Sequence, residues 1–371
     1  MPHADPVQPA EPMKEAARIL AVCNACRYCE GYCAVFPAME SRIHFGQADL
    51  NYLANLCHQC AECYYACQYA PPHEFAVNVP KTLAEIRLRS YQQYAWPRVF
   101  ASAFRRNESL VATIVLACVI LSAGAVVIIP GADRVVGDFY RVVPHAVMAG
   151  LFGAVGLFVV LALGIGVARF WREPSGHSST GPSSFAQAVH DILSLKYLDN
   201  GGAGCTYPHD ADSQSRRWFH HFTFYGFLLC LTATTVAAIY HYGFGLLAPY
   251  GYSSVPVVLG TLGGIGLLIG PAGLYWLKQQ RDPAIADSTQ DGMDVAFLAL
   301  LFLTSVTGIM LLALRETVAM GALLLIHLGV VLALFLTMPY GKFVHGLYRF
   351  AALLRYASER ARSQGPRQPS A

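Results

Sequence analysis

Residues 23–67 read CNACRYCEGYCAVFPAMESRIHFGQADLNYLANLCHQCAECYYAC. Cys23, Cys26, Cys29 and Cys33 are spaced C-x2-C-x2-C-x3-C, and Cys57, Cys60, Cys63 and Cys67 repeat that spacing without change. This run holds [4Fe–4S] clusters in bacterial ferredoxins. Three thiolates in a tight loop bind three irons of one cube, and the fourth cysteine reaches the other cube. Cys23, Cys26 and Cys29 are therefore expected to share a cluster with Cys67, and Cys57, Cys60 and Cys63 with Cys33. Zinc takes two C-x2-C pairs per site, an economy that triplets with x3 extensions do not fit. The bacterial pattern has Pro directly after the fourth Cys; here Ala34 and Gln68 follow, with Pro37 and Pro71 displaced. The stretches 38–56 (AMESRIHFGQADLNYLANL) and 79–95 (VPKTLAEIRLRSYQQYA) read as helices, not strands. The spacing thus predicts an all-α fold that begins with a helical two-[4Fe–4S] ferredoxin-like module over 15–108, behind a flexible Pro-rich tail, 1–14. His58 reads as a neighbour of the second cluster, and Cys118, Cys205 and Cys230 as packing residues.

Beyond residue 108 the composition changes. The 371 residues are 55% hydrophobic and only 13% charged, with mean hydropathy +0.40; soluble domains carry about 25% charged residues. A net charge of +3 is too mild for a nucleic-acid surface. Six apolar runs, 110–130, 143–167, 218–240, 255–277, 294–314 and 318–340, are each long enough to cross a hydrocarbon core of about 30 Å. They predict a six-helix transmembrane bundle over 109–348, followed by a basic tail, 349–371. With the amino terminus inside, 23 of the 26 Lys and Arg fall on inner segments, and only Arg134, Arg141 and Arg315 on outer loops. This asymmetry predicts a multi-pass protein of the bacterial inner membrane with both termini and the cysteine module in the cytoplasm. That compartment is reducing, which excludes disulfides. The start lacks an apolar h-region, so no cleaved signal peptide is expected. The inner loop 169–217 joins a linker, SGHSSTGPSS, to an amphipathic helix, FAQAVHDILSLKYL, and a turn, DNGGAG.

Histidines on membrane segments point to haem. A histidine within the hydrocarbon is costly and marks function. His327 lies deep in the sixth run, and His345 follows 18 residues later on what reads as the same helix. Eighteen residues make five turns, so both imidazoles would face one side. His220 and His221 open the third run at the depth of His345, while His145 and His241 sit at the outer side. Two axial pairs are geometrically open: His220 or His221 with His345, and His327 with His145 or His241. Gly260, Gly263, Gly264, Gly266, Gly270 and Gly273 of the fourth run permit close helix approach.

The last run, IHLGVVLALFLTMPYGKFVHGLYR, resembles the closing helix of haem b subunits of the respiratory nitrate reductase gamma type. There a His, a spacer of 17 and P-[FY]-x-[KR]-[LF]-V-H carry axial ligands, and His327 and His345 fall on those positions. RRWFHHFTFYGF resembles the other ligand helix, with His220 the closer match; that family's second His on this helix is replaced here by Cys230. The chain as a whole resembles the tricarballylate (citrate) utilisation protein B family. The marks are both quartets, CYYACQYAPPHEFAVNVP, LSLKYLDNGGAGCTYP and RRWFHHFTFYGFLLC, spread over most of 15–350. The resemblance implies an electron-transfer protein that reoxidises an FAD-dependent tricarballylate dehydrogenase. It implies two [4Fe–4S] clusters and one or two haems b, with membrane quinone as acceptor. No Rossmann glycine fingerprint or catalytic triad stands out, so a carrier rather than a self-contained dehydrogenase is expected. Two rivals share parts of this pattern: a quinol-oxidising subunit feeding a soluble reductase, and a transporter with a regulatory metal module.

Overall fold

The computed structural model describes residues 12–104, 106–128, 135–173, 180–199 and 202–363. Residues 1–11 and 364–371 of the expected tails, 174–179 of the linker, part of the DNGGAG turn and Arg134 lie outside the described residues. The fold is all-α; among the described residues the β pairing is one antiparallel bridge between Cys205 and Ser213.

The amino-terminal module is built from α1 (Pro12–Cys26), α2 (Val35–Glu40), α3 (Gln47–Leu56), α4 (Glu62–Tyr65) and α5 (Val79–Tyr94). The stretch 38–56 forms two helices, not one. Gly46 is extended, and its N–H donates to the Asp49 carboxylate at 3.3 Å, which satisfies a donor that α3 would otherwise leave orphaned. Asn78 caps α5 by accepting from the Lys81 N–H at 3.2 Å. Pro80 sits in the first turn, where a missing N–H costs nothing. Apolar faces of these helices bury Ile19, Leu20, Leu53, Ile86 and Tyr91 in one core.

There follow α6 (Asn107–Ile128), the short α7 (Phe139–Val142), α8 (His145–Arg172), α9 (Pro182–Leu193), α10 (Ser215–Phe244), α11 (Val255–Gln279), α12 (Asp291–Leu314) and α13 (Met320–Thr337). Five of these, α8 and α10 to α13, are long and apolar enough to cross a membrane. The first expected span falls on α6, whose described apolar stretch runs Asn107–Leu121. Large apolar side chains such as Val160, Leu262 and Trp218 stand exposed, the reverse of a soluble surface. The fourth-run glycines do what their size allows. A Cβ at Gly263 would lie 2.8 Å from the Cys230 nitrogen, and one at Gly266 2.8 Å from the Phe222 carbonyl, so α10 and α11 touch backbone to backbone.

The final run departs from expectation. α13 stops at Thr337, residues 338–340 form a 3-10 turn, and α14 (Val344–Ser363) starts afresh. Pro339 removes a helical donor, and Gly341 is extended at φ −133°, ψ −168°. Asn107 then holds the freed Tyr340 carbonyl at 2.8 Å, and Lys342 pairs with Asp294 at 2.7 Å. His327 and His345 therefore sit on different helices, and the five-turn phase argument between them does not apply. Nor is the segment after 348 merely a basic tail. α14 buries Tyr348, Ala352, Leu353 and Tyr356 in the core of the cysteine module. It also pairs Glu359 with Arg42 at 2.6 Å. The expected amphipathic helix of the inner loop appears as α9; its Ala188 joins the same core, and Ser184 reaches the Ala357 carbonyl.

Candidate metal centres

Cys23 and Cys26 lie in the last turn of α1, and Cys29 and Cys33 in the turns that follow. Cys57 caps the end of α3. Arg27, Gln59 and Ala61 adopt left-handed backbone (φ 55°, 55° and 71°). Such non-glycine residues cost roughly 1–2 kcal/mol each, and here they coil each loop so that its thiols face inward. The Gln59 N–H donates to the Cys57 sulfur at 3.4 Å.

The thiols sort into two groups. Cys23, Cys26, Cys29 and Cys67 line a cavity of about 260 Å³, walled by Val22, Phe36 and Val77 and bordered by Cys63. Burial, then the charges of Cys67, Cys29 and Cys26, push the Cys23 thiol up to about 12. Cys33 is raised by burial and then by Cys60 and Cys57, and Cys63 by burial and then by Cys60, Cys33 and Cys57. The fourth cysteine of each quartet thus lies with the triplet of the other. Among the described residues no three His, Cys, Asp or Glu side chains converge on one point as a single ion would need. A cube instead takes one thiolate on each of four irons around its outside, and four cysteines around a cavity fit that geometry.

Cys205, read from sequence as packing, is fully buried beside Cys60 and shares a hydrogen bond with its thiol. Thr206 next to it reaches the Cys60 carbonyl at 3.4 Å. His58 is buried, as a cluster neighbour should be, with its ring 5.3 Å from Tyr197.

Of the histidines, His220 and His345 lie within electrostatic reach of each other. His220 Nδ1 donates to the Arg216 carbonyl at 3.0 Å, and His345 Nδ1 to the Lys342 carbonyl. A carbonyl only accepts, so both rings carry their proton on Nδ1 and keep the Nε2 lone pair, the form a haem iron takes. His345 is pressed well below the ordinary imidazole range by burial, then by Arg349 and Lys342, with His220 also in electrostatic reach. His221 faces away, stacked on Tyr225 at 5.6 Å and close to the exposed Trp218. His327 is held by Thr307, Nδ1 to Oγ1 at 2.9 Å. Its Cε1 lies 3.0 Å from where a Cβ on Gly308 would sit. His145 and His241 stack on each other at 3.6 Å. Each thus has its close contact elsewhere than at His327.

Two arginines tie the second quartet to the helices that carry these histidines, and a third, Arg87 on α5, reaches the chain just before it. Arg216, four residues before His220, donates to the Gln59 and His58 carbonyls at 2.6 and 3.1 Å. Arg349, four residues after His345, donates to the Cys57 carbonyl at 2.8 Å. Arg87, 3% exposed, donates to the Ala54 carbonyl at 2.9 Å. Sequence patterns did not single out these arginines, since each works across more than 30 residues of chain.

No solved structure matches this chain. A profile described as "Citrate utilization protein B Fer4-like domain" covers residues 16–95, and one described as "Citrate utilization protein B" covers residues 104–366. The Escherichia coli protein named "Citrate utilization protein B" is 54% identical over 358 residues, which is 95% of this chain and 94% of the relative. The cysteine module is therefore a Fer4-like domain carried on apolar helices, and the chain belongs to the citrate utilization protein B family.

Proposed function

We propose that this chain is an electron relay of the bacterial cytoplasmic membrane, with both termini and the Fer4-like module on the cytoplasmic side. It takes electrons from a reduced FAD-dependent dehydrogenase, specifically one acting on tricarballylate, and delivers them to membrane quinone. Two [4Fe–4S] clusters and haem b supply one-electron chemistry when bound. Cys23, Cys26, Cys29 and Cys67 would hold one cluster, and Cys33, Cys57, Cys60 and Cys63 the other. His220 and His345 would hold a haem, and His327 is a candidate ligand for a second. His221, His145 and His241 are left out of the ligand set because their rings are engaged in stacking.

The double clamp of Arg216 and Arg349 carries this reading. The same two helices that present the Nε2 atoms of His220 and His345 grip the backbone of the second quartet. A redox pair that exchanges electrons must be held at fixed separation, and this architecture fixes it. The tricarballylate assignment rests on the family resemblance, not on any residue of the chain.

An ultraviolet–visible spectrum of the purified protein before and after dithionite, with iron and haem assays, tests the reading. We expect a Soret band that sharpens on reduction and about eight non-haem irons per chain. A preparation with no Soret band and fewer than about six irons would refute it.

A further inference from the structure

Arg87, Arg216 and Arg349 are close enough to press on one another electrostatically, and none is ion-paired to a carboxylate among the described residues. Several other poorly exposed cations are paired with carboxylates, Lys278 with Asp291 and Asp294, Lys342 with Asp294, and Arg42 with Asp49 and Glu359, whereas buried Arg355, like the trio, donates to backbone carbonyls. Like charges gathered out of water are tolerated only beside an anion. What the trio grips is the backbone at and just before the second thiol group, through the carbonyls of Ala54, Cys57, His58 and Gln59, and a cluster held by those thiols would be the anion beside it. Among the described residues the first group has no buried arginine on its loop carbonyls. Arg27, exposed, donates to the Asn24 carbonyl in its loop, and exposed Tyr28 lines its cavity.

We propose that Arg87, Arg216 and Arg349 are positioning residues that set the two clusters apart in potential, making the second the stronger electron acceptor. This rests on the reading that both thiol groups carry [4Fe–4S] clusters. A reduced cube bears one more negative charge than an oxidised one, so nearby fixed cations favour its reduced state. In the step concerned the first cluster loses one electron and the second gains it, with no proton or ligand exchanged. A reduced flavoprotein would supply that electron, and a haem held by His220 and His345 would receive it. The gradient so built points from the exposed cavity toward the membrane.

Redox titration of the full-length protein in detergent, followed by electron paramagnetic resonance, tests the proposal. Two cluster signals are expected in the wild type, the second titrating at higher potential. Arg216→Gln and Arg349→Gln should each lower that midpoint and leave the first in place. Arg216→Lys and Arg349→Lys should keep it near the wild-type value. Unmoved midpoints in the Gln variants, or equal shifts of both signals, would overturn the proposal. Should the Gln variants lose the second cluster, retention of it in the Lys variants supports a role for charge. Its loss from the Lys variants too would overturn that role in favour of hydrogen-bond geometry. A wild type with fewer than two clusters would instead refute the cofactor reading beneath.

Discussion

His220 and His221 are adjacent in sequence yet differ in duty, because consecutive residues on a helix point about 100° apart. One donates its Nδ1 proton to a backbone carbonyl beside the clamp, and the other stacks on Tyr225. His220→Ala and His345→Ala should each remove the haem absorbance of the site they form while iron content is retained; His221→Ala should leave the spectrum unchanged. A paired haem and iron assay on the three variants decides it. The crossed grouping of thiols makes a second prediction at this scale. Cys23→Ser and Cys67→Ser should remove the same cluster signal although 44 residues separate them, and Cys33→Ser the other. Loss of the Cys33 signal on Cys67→Ser would contradict the grouping. The ligand cysteines were legible in the sequence because their geometry is written into spacings of two and three residues. Which of two neighbouring histidines turns inward was given only by the family resemblance, which favours His220, since spacing alone does not say which face of α10 meets its neighbours. The place of Cys205 beside Cys60 was equally hidden, because a contact across 145 residues leaves no local pattern.

Among the elements, α10 and α11 are locked by glycines. Gly263→Val has to displace the Cys230 backbone, and overpacking of this kind costs about 1–3 kcal/mol. Gly150→Ala on α8 meets open space and should shift stability by less than about 0.5 kcal/mol. Thermal unfolding of the two variants in detergent would show the contrast; equal midpoints would argue against the close approach. α14 offers another test. Removal of residues after 348 deletes Arg349, Leu353 and Tyr356 from the module core and its clamp. The truncated protein should lose iron as well as haem, and retention of both clusters would show that the module stands alone. Helix existence was readable from apolar run length, since membrane spans announce themselves in twenty-residue blocks. The break after α13 was also written, in Pro339 and Gly341, within a stretch whose apolar run and following helical pattern read as one helix. The burial of α14 was masked by its charged residues, of which Arg355 is itself buried while Arg349 and Glu359 bind the cysteine module.

At the scale of the whole molecule, one core runs through what sequence composition divides. Phe170 of α8, Ala188 of α9, Met293 of α12 and Tyr348 of α14 share it with the five helices of the Fer4-like module. A boundary near residue 108 follows composition, yet packing crosses it. The proposed orientation also belongs to this scale. Val318, between α12 and α13, is 68% exposed, and Asp210, in the inner loop, is exposed as well. Val318→Cys should react with a membrane-impermeant maleimide on intact spheroplasts, and Asp210→Cys only after the membrane is opened. The reverse pattern would invert the topology.

The interruption at residues 338–341 has a mechanical consequence. A bilayer that thickens or thins makes its helices lean to match. Had the last helix been continuous, such leaning would swing His345 through an arc about the second cluster. With the joint in place, α13 is free to follow the lipid while α14 stays bolted to the globular head by Glu359 and its tyrosines. The seat of His345 beside the Cys57 loop is thereby insulated from the composition of the surrounding membrane.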